Sequence, residues 1–306
     1  MTQLSDRFRG VFTALVTPFR NGSIDHDAYA TLVERQLAAG VTGLVPVGTT
    51  GEAATLSDAE AEDLIRRTVE LARGRAFILA GAGANDTAKA VEKVRRAEAA
   101  GADGVLVVTP YYNKPEQAGL IAHYSAVAKA TSLPVVLYSV PGRCGVEIAP
   151  ETCARLMDMH ANIVAIKEAG GSPSRVTELR QACGSRLIIH SGDDGLTLPF
   201  LSLGACGVTS VVSNIAPREM VELVKAWEQG DTARALAVHE LVAELAGSMF
   251  IESNPGPVKA ALALANLAGP EMRLPMVPVS DRSRQTIAAV LSRFGSASGS
   301  FSGSAC

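Results

Sequence analysis

Asn162-Ile163-Val164-Ala165-Ile166-Lys167-Glu168-Ala169 is an apolar run of strand character that ends in a lysine. Side chains alternate along a strand, so Lys167 is expected to share a face with Ile163 and Ala165, and Glu168 to point the other way with Val164 and Ile166. The two neighbouring charges are therefore poor partners for each other. The lysine has two readings. It ends a strand at the surface with its ammonium in water, or it lies inside a closed sheet above small Ala165, where desolvation draws an amine pKa from about 10.4 toward neutrality. A neutral amine is a nucleophile that forms a Schiff base with a carbonyl carbon. The surroundings of the run decide between the two.

Seven further apolar runs flank it, at 11–17, 43–47, 77–81, 104–109, 134–139, 187–191 and 207–212, which with 163–167 makes eight. Helical periodicity fills the intervals at about 27–39, 58–73, 87–100, 117–131, 150–159, 174–182, 196–203 and 217–229. Strands alternating with helices specify βαβ units and a parallel sheet, and eight such units close into an α/β (β/α)8 TIM barrel. An open doubly wound sheet is the alternative. It usually carries GxGxxG after its first strand, and Thr17-Pro-Phe-Arg-Asn-Gly22 is not that motif. Ser57 with Glu60 three residues later reads as a capping box, and Gly40, Gly74, Gly101, Gly184, Gly204 and Gly230 fall just past expected helices. The catalytic barrel is thus expected over 1–230. Beyond Gly230 the alternation stops, and 231–247, 257–268 and 283–294 read as three helices of a small C-terminal domain over 231–294. The Ser/Gly-rich stretch 295–306, ending in Cys306, has no packable face and is expected to be a disordered tail.

Composition narrows the function. The 28 Lys+Arg against 31 Asp+Glu leave a formal charge of −3, which gives no general pull toward nucleic acid or an anionic membrane and favours a small-molecule partner. Cys144, Cys153, Cys183, Cys206 and Cys306 form an odd set without CxxC or Cys/His spacing, arguing against a disulfide framework and a zinc site and for a reducing cytoplasm. The N-terminus lacks an apolar h-region, and no run approaches the ~20 residues of a membrane helix.

In such barrels the reacting groups sit at the C-terminal ends of the strands. Those ends supply Thr17, Gly48-Thr49-Thr50-Gly51-Glu52, Gly81, Thr109-Pro-Tyr111-Tyr112, Tyr138 to Arg143, Lys167, Ser191-Gly192-Asp193-Asp194 and Thr209 to Asn214. A lysine, several hydroxyls and an arginine at one mouth suit carbonyl chemistry on an anionic substrate without a metal. Lys167 is placed to attack the ketone of a 2-keto acid, and Tyr138, ending the neighbouring strand, to shuttle protons. The 48–52 turn combines N–H groups and two hydroxyls, a cradle for a carboxylate. Each element also has a plainer reading: a simple β–α loop, a core tyrosine, and for Arg143 a solvated loop charge.

Taken together, Gly48-Thr-Thr-Gly-Glu52, Thr109-Pro-Tyr-Tyr-Asn113, Tyr138-Ser-Val-Pro-Gly-Arg143, Ile166-Lys-Glu-Ala169, Ser191-Gly-Asp-Asp194, Asn254-Pro-Gly-Pro-Val-Lys259 and Leu274-Pro-Met-Val-Pro278 resemble the dihydrodipicolinate synthase family. That family belongs to the pyruvate aldolases that include N-acetylneuraminate lyase, and the resemblance runs from about Gly10 to Ser280. It implies that Lys167 forms a Schiff base with pyruvate, with no other cofactor, and that Tyr138 is the general acid/base, completed by Thr49 and Tyr112 as a proton relay. It further implies that Thr50 holds the pyruvate carboxylate, that the backbone at Thr209 closes that pocket together with Gly192, and that Arg143 receives the carboxylate of L-aspartate 4-semialdehyde. The implied product is 4-hydroxy-tetrahydrodipicolinate, on the route to diaminopimelate and lysine. A homotetramer is implied, with Tyr111 reaching across an interface.

The chain departs from the family pattern at Ser139, where asparagine is usual, at Cys144, where threonine is common, and at Thr209, where valine or isoleucine is usual. Lysine-inhibited relatives carry a glutamate at the position of Lys89 and a histidine or glutamate at that of Ala61, so feedback by lysine is expected to be weak or absent. Two other functions stay open: a pyruvate-dependent aldolase of sugar acids, against which Arg143 counts, and a barrel kept as a non-catalytic binding protein.

Overall fold

The computed structural model describes residues 4–298. Eight parallel strands close into a barrel: β1 (Gly10–Ala14), β2 (Gly43–Val45), β3 (Phe77–Gly81), β4 (Gly104–Val108), β5 (Val135–Ser139), β6 (Ile163–Glu168), β7 (Ile188–Ser191) and β8 (Gly207–Ser210). Each pairs in parallel with its sequence neighbours, and β8 returns to β1 with Thr209 opposite Phe12. The open-sheet alternative is thereby excluded. Around the barrel run α1 (His26–Ala39), α2 (Asp58–Ala72), α3 (Thr87–Ala99), α4 (Gln117–Lys129), α5 (Pro150–Met159), α6 (Ser174–Cys183), α7 (Thr197–Ser202) and α8 (Pro217–Glu228).

Strand alternation divides the apolar residues into two layers. Phe12, Val45, Leu79, Leu106, Val136 and Ala165 fill the barrel, and Phe8, just before β1, packs with them. Val11, Leu44, Ile78, Val105, Leu137, Ile166 and Val208 face outward, in the core that also takes Leu32, Leu64, Val94, Val127 and Val224 from the helices. The fit inside is close: a Cβ on Gly43 would lie 2.3 Å from the Phe12 ring. Such burial on both faces is why the strands read as near-continuous apolar runs. The alternation is interrupted once. Val135 pairs with Ile163 but Val136 pairs with Ala165, a bulge that passes over Val164. Ile163 accordingly lies in the outer core while Ala165 lies in the barrel, so Lys167 shares its face with Ala165 and not with Ile163.

Local signals set the helix ends. The Ser57 hydroxyl accepts from the Glu60 N–H (3.2 Å) and the Glu60 carboxylate from the Ser57 N–H (2.9 Å), the reciprocal box that opens α2. Gly40, at φ 80°, turns the chain out of α1 in the left-handed region. Short elements that the sequence does not announce include a helical turn at Leu4–Arg7, a hairpin pairing Phe19–Arg20 with Ser23–Ile24, and a helical turn at Pro141–Cys144.

Beyond α8 follow α9 (Thr232–Ser248), α10 (Gly256–Leu264) and α11 (Asp281–Ser298). Val238, Val242, Leu245, Ala261, Leu262 and Ile287 belong to the same continuous core as the barrel's outer layer. The C-terminal helices are thus an appendage packed onto the barrel. α11 extends through Ser298, so 295–298 is helix and not the start of a tail; residues 299–306, with Cys306, lie outside the described residues. Among the described residues no helix is long and apolar enough to cross a membrane.

Candidate active site

Lys167 occupies the C-terminal end of β6 and is only 6 % exposed. Its Cα is in register with Tyr138 on β5 and with His190 on β7, and its Nζ lies 4.4 Å from the centre of the Tyr138 ring. The surface reading of this lysine is therefore wrong, because the amine is inside the barrel mouth against the phenol. Space for it is made by two small residues. Ala165 lies below on the same face, and a Cβ on Gly192 would come 3.1 Å from Lys167 Cε and 2.6 Å from Ala169 Cβ. Glu168 points outward as expected. It is fully buried, accepts the Gly170 N–H at 2.7 Å and lies 3.4 Å from Arg175 Nη2. Burial raises its pKa, against the pull of Arg175.

The mouth opens into a cavity of about 510 Å³ whose lining includes Thr49, Thr50, Tyr111, Tyr138, Arg143, Lys167 and Gly192. Seven of the nine residues selected from sequence thus meet in one chamber. The other two do not. Tyr112 is 90 % exposed with φ 74° and stands outside the cavity, whereas Tyr111, expected to reach away, lines it. No relay through Tyr112 is formed within one chain. Thr209 is buried inside the barrel, outside the cavity lining, with its hydroxyl 3.2 Å from His190 Nδ1. Of the departures from the family pattern, Cys144 lines the cavity, its thiol pKa raised by burial. Ser139 does not: its hydroxyl lies 3.4 Å from the Ile148 N–H.

The loop after β2 carries the cradle. The N–H groups of Gly51, Glu52 and Ala53 close on the carbonyls of Gly48 and Thr49, while among the described residues no such bond takes up those of Thr49 and Thr50. The loop is held from several sides. The Thr17 hydroxyl donates to the Gly51 carbonyl (2.7 Å), and Asn254 Nδ2 donates to Thr50 Oγ1 (3.0 Å). Glu52 lines the cavity too, with its carboxylate taken up by the C-terminal segment. It is buried in an ion pair with Lys259, accepts the Arg273 N–H at 3.1 Å, and joins the loop to the C-terminal segment. Burial lowers the Lys259 pKa, opposed by Glu52. Arg143 Nη2 in turn donates to the Asn254 carbonyl at 3.3 Å.

Three contributors were not singled out by sequence. Asp194 is buried, with its pKa raised by burial, and accepts from the Ser210 hydroxyl and the N–H groups of Val211 (2.9 Å) and Val212 (3.2 Å), fixing the turn after β8. His190 is buried beside Lys167, its Nε2 donating to the Phe8 carbonyl at 2.5 Å. Burial pushes its pKa down to about 4, so the ring is neutral and Nδ1 accepts from Thr209. Asn254 links both walls of the mouth. The Ser191-Gly-Asp-Asp and Asn254-Pro-Gly-Pro-Val-Lys motifs marked these regions, but no periodicity assigns such jobs. Among the described residues no cluster of three or more His, Cys, Asp or Glu gathers at metal-binding spacing.

A closed parallel barrel with a buried lysine and phenol at its C-terminal mouth, opposite hydroxyls and an arginine, defines a (β/α)8-barrel enzyme of the aldolase class. Residues 7–294 match the Dihydrodipicolinate synthetase family, and the chain belongs to that family. It is 47% identical to a 4-hydroxy-tetrahydrodipicolinate synthase of Nitratidesulfovibrio vulgaris, covering 94% of this chain and 99% of that one. A synthase of the same name from an Anaeromyxobacter species is 51% identical, over 94% and 98%. Among solved structures, the synthase of Methylacidiphilum fumariolicum superposes with a TM-score of 0.93 at 47% identity, covering 94% of this chain and 96% of that one.

Proposed function

We propose that this enzyme condenses pyruvate with L-aspartate 4-semialdehyde to give 4-hydroxy-tetrahydrodipicolinate. The observation that carries this reading is the buried amine of Lys167 against the Tyr138 ring in a mouth that also holds Thr50 and Arg143. Lys167 adds to the keto carbon of pyruvate and water leaves, forming an imine. Loss of a methyl proton gives the enamine, whose carbon attacks the aldehyde. The substrate amine then attacks the imine carbon, closing the ring and releasing Lys167. Tyr138 moves the protons, with Thr49 beside it in the cavity. Thr50 and the unspent N–H groups of its loop receive the pyruvate carboxylate, and Arg143, at the outer rim, that of the aldehyde. No metal and no cofactor beyond the covalent imine takes part.

Tyr112 completes the relay only by entering the mouth of another copy. Its exposure and left-handed backbone support a homotetramer in which neighbouring chains exchange this loop, and Tyr111 then belongs to its own mouth. The free thiols Cys144, Cys153, Cys183 and Cys206 support a reducing, cytoplasmic setting. A coupled assay tests the substrate: turnover is expected with aspartate semialdehyde and pyruvate, and Tyr138→Phe is expected to lower kcat by about 10²–10⁴. Turnover only with sugar aldehydes contradicts the reading.

A further inference from the structure

Asn254 lies between α9 and α10, is 7 % exposed, and lines the cavity. Its Nδ2 donates to Thr50 Oγ1 at 3.0 Å and its carbonyl accepts from Arg143 Nη2 at 3.3 Å, so it touches the residues assigned to both substrate carboxylates. Its Oδ1 is buried without a hydrogen-bond partner among the described residues. A half-satisfied buried amide is destabilising, and a leucine of similar size would avoid the penalty. Stability is therefore a poor reason for an asparagine here.

Orientation is a better one. A threonine hydroxyl has one hydrogen and two lone pairs. With a lone pair of Thr50 Oγ1 occupied by the Asn254 N–H, the hydrogen must point elsewhere, and Thr50 faces the cavity. The hydroxyl is thereby fixed as a donor, the polarity that a carboxylate oxygen requires. The clamp is firm because Lys259, five positions along, is buried against Glu52, two positions along from Thr50. Glu52 is held at φ 56°, a strained conformation for a residue with a side chain. One C-terminal segment thus grips the loop at two adjacent points.

The geometry points to Asn254 as a positioning residue that sets the Thr50 hydroxyl as donor to the keto-acid carboxylate. This rests on the reading of Thr50 given above and deepens it. The C-terminal helices contribute to keto-acid recognition without supplying a group that touches the substrate.

A double-mutant cycle on the full-length enzyme tests this. Asn254→Ala is expected to raise the KM for pyruvate about tenfold while kcat changes less than about threefold, because a lost charge-assisted hydrogen bond weakens binding before it affects the chemistry. Asn254→Asp, an acceptor only, turns the hydroxyl away and raises KM further. In a Thr50→Val background, Asn254→Ala is expected to change KM less than about twofold, since its effect passes through a hydroxyl that is gone. Equal effects of Asn254→Ala in both backgrounds, or an unchanged KM, overturn the proposal. If Asn254→Asp does not fold, the Asn254→Ala cycle decides alone, with melting temperatures showing that both folds are intact. Absence of a reducible imine between the wild-type enzyme and pyruvate refutes the proposed function itself; a normal wild-type imine with additive effects refutes only the role of Asn254.

Discussion

Around Lys167 the structure spends its smallest residue where space is tightest. A methyl at Gly192 would press on Lys167 Cε, the Ala169 side chain and the Glu168 carbonyl, so Gly192→Ala is expected to displace the amine and lower kcat/KM for pyruvate at least about tenfold, with a lowered melting temperature. His190 makes a separate prediction. Its folded pKa of about 4 lies below the ordinary 6.5, so between those values the unfolded chain takes up a proton that the fold refuses. The stability it contributes above pH 6.5 is lost as pH falls toward 4, by about 3 kcal/mol in all. Urea unfolding at pH 7 and pH 4 should show a loss smaller by about that amount in His190→Leu than in the wild type; equal losses would refute it. At this scale the sequence was legible where the chemistry lies at a strand end, as for Lys167 and Tyr138. It was not legible for Tyr111 and Tyr112, because which of two adjacent loop tyrosines turns inward depends on a left-handed backbone at Tyr112 that no pattern announces. Thr209 was expected at the pocket and lies outside its lining, claimed by a histidine that had no motif of its own.

At the scale of elements, the eight runs became eight strands because burial on both faces leaves an unbroken apolar signature, and the helices followed from their periodicity and caps. The bulge in β6 escaped because skipping one residue needs only a change of pairing partner. The hairpin at Asn21-Gly22, whose two turn residues have positive φ as a tight hairpin demands, was missed because its strands are two residues long and carry no alternation. The loop after β2 yields the sharpest prediction here. Glu52→Gln leaves Lys259 buried without its countercharge, and breaking such a pair is expected to destabilise the fold by about 3 kcal/mol or more, read from the urea midpoint. α3 carries another. Lys89 is exposed on that helix, and a cation there repels a cationic amino acid. Calorimetry is expected to show no micromolar binding of L-lysine; a clear micromolar isotherm would remove the idea.

For the whole molecule, one continuous core joins barrel and C-terminal helices, which is how a segment more than two hundred residues from Thr50 orders its hydroxyl. The surface carries large exposed apolar groups, among them Tyr112, Leu274 at 77 % and Val277 at 62 %. Of these, Tyr112 is the one that the proposed relay buries against a further copy. Light scattering is expected to give a mass near four chains, and a monomer at micromolar concentration would leave Tyr112 with no mouth to serve. All of this depends on the amine of Lys167 reacting with a keto acid. Incubation with pyruvate and borohydride, followed by peptide mass spectrometry, tests that directly: the account predicts a reduced pyruvate adduct on the peptide holding Lys167 and none in Lys167→Ala. No adduct, or an adduct on a different lysine such as Lys259, would contradict it.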